Sequence, residues 1–207
     1  MIDQNHAIRL PAFFMSSVPK SGTHLLHQLL NGIPGVKMDI NDSSKKFFLD
    51  AVVARASYFE EVFHDHSSRL KMLSDDEFGL AHVRYSVRYA DMFDQLNLKH
   101  IFLYRDSRDV LVSMAYFIRE KWIRHPLHED FQSKYVTLKD QLVVLIQGVP
   151  EKWPDFHTYI SGFYRWIQED NVLKVTFEQL TESESSREAE LVKIVGFLYD
   201  ADYQHVQ

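Results

Sequence analysis

The stretch that most constrains this chain is residues 13–26, FFMSSVPKSGTHLL. Its first half is an apolar run too short for a helix and without polar alternation, the pattern of a strand covered on both faces. Val18-Pro19 ends it, because proline brings no N–H to a ladder, and helix-compatible residues resume after Gly22. A doubly covered strand that runs at once into a helix implies a layered α/β fold around a mostly parallel sheet. The turn between them, PKSGT, carries a lysine and a glycine. Unpaired backbone N–H groups at a helix start, with a nearby cation, suit an anion. The plainer alternative is a tight turn with an exposed lysine.

The rest of the chain keeps the alternation. Strands are predicted at Ala12–Val18, Phe78–Val83, His100–Tyr104 and Val172–Phe177. Helices are predicted at Thr23–Leu30, Val87–Leu96, Arg108–Glu120, Phe131–Gln147, Phe156–Glu169 and Arg187–Tyr199. The last of these sets Leu191, Ile194, Val195 and Leu198 on one stripe, and Ser43–Phe63 is helix-compatible. No repeat or low-complexity linker interrupts the 207 residues, which is the size of one domain. The whole chain, 1–207, is therefore expected to form a single domain.

Charge and composition narrow the partners. With 23 Lys+Arg against 29 Asp+Glu the net charge is −6, which argues against a general nucleic-acid binder but not against a small anionic ligand. The absence of cysteine removes disulfides and thiolate metal sites. MIDQNHAIRL lacks the apolar core of a signal peptide, and no apolar run reaches membrane-spanning length, so a cytoplasmic protein is expected. HDH (64–66) and HPLH (125–128) have metal-like spacing without an evident third ligand, so surface histidines are expected and no metal site. The tryptophans Trp122, Trp153 and Trp166 read as core.

A second constellation is YRDSRDVLVSMAYF, residues 104–117. Arg105 stands at a strand end, and its guanidinium is a donor fork suited to phosphate. Ser113 lies about two helical turns on and can face the same anion if the turn folds back. Alternatively Arg105 pairs with Asp106 or Asp109, and Ser113 is a small packing residue.

Taken together, PKSGT after a strand and YRDSRDVLVSMAYF later resemble the sulfotransferases that use 3′-phosphoadenylyl sulfate (PAPS) and release adenosine 3′,5′-bisphosphate (PAP). The resemblance runs from about residue 12 to 199 and implies a P-loop-like three-layer fold. It implies that Lys20 contacts the phosphosulfate, that Ser21, Gly22, Thr23 and His24 wrap the 5′-phosphate, and that Arg105 and Ser113 hold the 3′-phosphate, Ser113 also restraining Lys20. By the same resemblance the catalytic base is the histidine of FGLAHVRYS, His82. VLKVTFEQL (172–180) resembles a further family segment, with Phe177 packing by the adenine and Glu178 structural. The acceptor implied is a hydroxyl or amine of a small molecule or carbohydrate, in a pocket built from variable loops such as 36–60 and 118–155.

The sequence departs from the family pattern at three places. Leu25 stands where an adenine-stacking aromatic is usual, Leu80 replaces a lysine just before the histidine, and the late Arg-Lys-Gly segment has no counterpart. Two other functions stay open on the residues alone: a fold that binds PAP or PAPS without turnover, and a P-loop kinase, against which the lysine's place ahead of the glycine counts.

Overall fold

The computed structural model describes residues 9–42, 44–47 and 59–199. Five strands form one sheet in the order β2-β3-β1-β4-β5: β1 (Phe13–Ser17), β2 (Lys46–Phe47), β3 (Phe78–Ala81), β4 (Lys99–Tyr104) and β5 (Val172–Thr176). Every pairing between them is parallel. The expected mostly parallel sheet is thus parallel throughout.

Parallel strands force crossovers, and the helices that make them cover both faces. Alternation along each strand splits the core in two. Phe13 and Met15 of β1, with Ile101 and Leu103 of β4, bury against α1 (Thr23–Leu30) and α9 (Glu184–Tyr199). Phe14 and Phe102 point the other way. There they meet residues of α3 (Val87–Gln95), α4 (Ser107–Glu120), α5 (His128–Ser133), α6 (Leu138–Gln147) and α7 (Phe156–Tyr164). In-register Phe13 and Phe78 stack at 4.9 Å between centroids, so the pairing of β1 with β3 is fixed by side chains as well as by the ladder.

Several predicted boundaries move, each for a local reason. The predicted helix Phe131–Gln147 is two helices. The N–H groups of Lys134 and Tyr135 both close on the Asp130 carbonyl, and the Thr137 hydroxyl then accepts from Asp140 N to start α6 afresh. The predicted strand Val172–Phe177 stops at Thr176, whose hydroxyl caps Gln179 N and makes Phe177 the first residue of α8 (Phe177–Thr181). In α9, Ile194 and Leu198 are buried as expected, but Glu190 joins them while Leu191 and Val195 sit at the margin. Within 43–63 the described residues give β2 and the start of α2 (Phe59–Leu70); positions 43 and 48–58 lie outside the described residues. Among the described residues no helix is long and apolar enough to cross a membrane.

Candidate active site

The three central strands set the site. β1 lies between β3 and β4, which the chain reaches in opposite directions from it, and ligands of open α/β sheets bind at such a switch point beyond the strand ends. Register brings the following residues level. Ser16 pairs with Ala81, so Ser17 meets His82; Tyr104 pairs with Thr176, so Arg105 meets Phe177. A cavity of about 510 Å³ opens at this edge, within the range of small-ligand pockets. Lys20, Gly22, Thr23, His24, His82, Arg105, Ser113 and Phe177 all line it.

The turn after β1 is built to leave donors open. Lys20 has φ 71°, a left-handed conformation that a side-chain-bearing residue adopts only when its surroundings enforce it. Gly22 follows with φ 92° as the N-cap of α1, and no side chain caps that helix. A Cβ at Gly22 would lie 2.4 Å from Phe177 Cδ2, so glycine is required twice over. The N–H groups of Lys20, Gly22, Thr23 and His24 donate to no other described residue. They are the ingredients of an anion nest at a helix N-terminus.

Ser21 is the exception among the sequence candidates. Its N–H closes the turn on the Val18 carbonyl (3.2 Å), and its hydroxyl is buried outside the cavity lining with no partner among the described residues. Thr23 is nearly buried, and its hydroxyl lies 2.7 Å from Ser17 Oγ.

His82 is held through Nδ1, which lies 2.9 Å from the Ser17 carbonyl and 3.1 Å from Ser17 Oγ. A carbonyl only accepts, so the proton sits on Nδ1 and Nε2 is the basic nitrogen. Burial pushes the imidazole pKa down to about 4, the charges of Lys20 and His24 push the same way, and the Ser17 carbonyl opposes them. The ring is therefore neutral at pH 7, and the same burial makes it a weaker base than an exposed imidazole. The segment that follows is stitched to α7 and the 3₁₀ turn Arg165–Gln168. Trp166 Nε1–H donates to the Val83 carbonyl (2.8 Å), and Tyr85 N–H to the Gly162 carbonyl (2.8 Å). The Arg84 guanidinium donates to the Thr158 and Tyr159 carbonyls.

On the other side of β1, Asp106 caps α4 by accepting from Arg108 N (2.8 Å), and Glu178 accepts from Asp106 N (3.0 Å). Glu178 thus serves structure, as expected. Arg105 lays its guanidinium over the Phe177 ring at 4.3 Å and reaches Asp109 weakly at 3.4 Å. Its Nε is buried with no hydrogen-bond partner among the described residues. The hydroxyl of Tyr164 donates to the Arg105 carbonyl and fixes the turn from below.

Pro19, Met114, Phe117, Trp122 and Tyr159 complete the lining and were not foreseen as site residues. Helical spacing from Ser113 would have found Phe117. Trp153 and Trp166 are core, but Trp122, also expected there, lines the cavity. Leu25 and Leu80 pack with the α1 side of the core, away from the cavity. Of the four histidines in the two pairs, expected at the surface, His64 is exposed, but His66 and His125 are buried. His66 bonds Tyr89 OH (2.8 Å) and His125 Nδ1 accepts from Leu127 N, while the half-buried His128 donates through Nδ1 to the Ile118 carbonyl. Among the described residues no cluster has the makings of a metal site.

A family model described as a sulfotransferase domain matches residues 10–198. Among solved structures, mouse sulfotransferase SULT7A1 complexed with PAP resembles the chain with a TM-score of 0.55 and 22% identity, over 94% of this chain and 60% of that one. Retinol dehydratase in complex with androsterone and the inactive cofactor PAP gives 0.52 and 16%, over 89% and 59%. A complex of retinol dehydratase with retinol and PAP gives 0.52 and 16%, over 92% and 60%. The chain thus spans about 60% of the length of these structures, and the likeness to them is one of fold. No curated protein matches the sequence.

Proposed function

The chain belongs to the sulfotransferase domain family, and from that membership we propose that it transfers a sulfuryl group from PAPS to a hydroxyl on a small acceptor with an apolar body. One observation carries this reading. Lys20, the open start of α1, His82, Arg105 and Ser113 come from four separate segments and line a single cavity.

The residues present fit the nucleotide. The uncapped N-terminus of α1 offers donors to a 5′-phosphate, and Gly22 keeps the approach clear of a Cβ. Arg105 has a buried Nε without a partner, the signature of a guanidinium arranged for an anion, and Ser113 faces the same space. Phe177 presents an aromatic wall beside Arg105. The solved neighbours hold PAP, which supports a nucleotide bearing a 3′-phosphate.

PAPS supplies an activated sulfuryl group on a good leaving phosphate. The protein aligns and stabilises. Lys20 would place its positive charge against the leaving oxygen as that oxygen becomes negative. His82 Nε2 takes the acceptor hydroxyl proton, its ring oriented by the Ser17 carbonyl. Phe117, Trp122 and Tyr159 exclude water and receive an apolar acceptor next to His82. Two of the neighbouring structures hold androsterone or retinol, which favours such an acceptor over a carbohydrate.

Calorimetric titration tests the site, with PAP beside AMP and ATP–magnesium. Binding of PAP that collapses without the 3′-phosphate is expected. Equal affinity for AMP would remove Arg105 and Ser113 from the reading, and preference for ATP–magnesium would replace transfer of sulfate by transfer of phosphate. An acceptor screen with radiolabelled PAPS, apolar alcohols and phenols against sugars, then tests turnover and the acceptor class.

A further inference from the structure

We infer that Phe117 is a positioning residue for Lys20, holding the ammonium by its ring face so that the charge stands at the transfer point. The inference rests on the reading of Lys20 given above. The Nζ lies 3.7 Å from the Phe117 centroid, well within cation–π range.

Two backbones bring them together. The left-handed φ of Lys20 turns its side chain out of the β1–α1 connection. On α4, Ser113 and Phe117 are one turn apart on the same face, and both line the cavity. Trp122 braces the ring, with centroids 5.8 Å apart and the planes tilted by 45°. The ring cannot leave without unpacking that contact.

Electrostatics say why a ring is useful there. Among the described residues no ion pair holds Lys20, and no carboxylate lines the cavity. The other titratable groups on its walls are His24, His82, Arg105 and Tyr159. Burial lowers the Lys20 pKa, which works against the charged form the chemistry needs. The negative face of a π system opposes that loss without neutralising the lysine, as a carboxylate would. An aromatic partner also releases the ammonium towards a developing oxyanion more easily than an ion pair does.

The test uses the full chain with isotopically labelled lysine, the Lys20 resonance being assigned from Lys20→Met. In the wild type, stacking should move the Lys20 ε-methylene protons upfield by ring current. Phe117→Leu keeps the bulk and removes the π face: the upfield shift should vanish, and the Lys20 titration midpoint should fall. In Phe117→Tyr both should be retained. With PAPS and an acceptor, Phe117→Leu should lower kcat by about 2- to 30-fold, the range of a cation–π contact, with the nucleotide KM within about twofold. An ordinary Lys20 chemical shift in the wild type overturns the inference without any variant, as does an unchanged titration in Phe117→Leu. A wild-type chain that shows the shift and the titration response but transfers no sulfate upholds the contact and overturns the transfer reading alone.

Discussion

The two turns that flank β1's end of the cavity look alike in sequence, a basic residue just after a strand and just before a helix, and they are built in opposite ways. After β1, the helix start is left uncapped, glycine occupies the N-cap, and backbone N–H groups face the cavity side unpaired. After β4, the helix start is already closed by Asp106, and the Asp106 N–H is taken by Glu178. The first turn can hold an anion by backbone; the second has only the side chains of Arg105 and Ser113 to offer. A backbone site tolerates changes of side-chain chemistry and fails on added bulk. A side-chain site does the reverse. Phe177 joins them, its ring lying against Gly22 on one side and under Arg105 on the other.

The strongest test of this contrast leaves both turns intact. His82→Ala should lower turnover by about 10²–10⁴-fold while PAP affinity by calorimetry stays near wild type, since the imidazole hangs from Ser17 and not from the anion. Loss of PAP binding instead would make His82 part of the first turn. Next, Gly22→Ala should strain the turn by about 1–3 kcal/mol, and because the free turn can relax out of the left-handed conformation that binding restores, PAP should weaken by about 10- to 100-fold. Because the new Cβ displaces Phe177, selectivity for the 3′-phosphate should fall with it; weakening that spares this selectivity would uncouple the turns. Arg105→Ala should cost PAP about 10- to 100-fold and AMP little, the worth of a charge-assisted bond to phosphate. Equal losses would return Arg105 to a structural role.

Acid should weaken the fold itself. Burial holds His66, His82 and His125 down to about 4 and His100 to about 3, against an ordinary 6.5. Between those values the unfolded chain binds protons that the folded one does not, so stability is full above about pH 6.5 and is lost as pH falls towards 4. Urea midpoints measured from pH 7.5 to 4.5 should fall steadily; a flat profile would mean these rings are hydrated. The smallest effect belongs to Ser21→Ala. With its hydroxyl buried and unpartnered, PAP affinity and stability should both stay within about 0.5 kcal/mol of wild type. A large loss of affinity would place the hydroxyl back in the anion site.

Local pattern carried far. The β1 run, the breaker at Pro19 and the helix Thr23–Leu30 were legible because a doubly buried strand and an amphipathic helix have distinct periods, and α1 keeps its predicted bounds. The joint between α5 and α6 was not legible, since Phe131–Gln147 reads as one helix until the Asp130 carbonyl and the Thr137 cap divide it. Within the PKSGT motif, spacing could not say that Ser21 faces inward while its neighbours face the cavity. That depends on the left-handed turn at Lys20, which propensity does not predict.

What the sequence determined by itself is the alternation of strands and helices and the residue types at the strand ends, because both rest on contacts between near neighbours in the chain. What only the tertiary structure decided is which of those residues share a space. The register of β3 on β1 hangs His82 from Ser17, and that of β4 on β5 lays Arg105 on Phe177. The packing of α4 over the switch point sets Phe117 against Lys20. Those pairings lie far apart along the chain, and their geometry is fixed by strand register and layer packing, which no local pattern records.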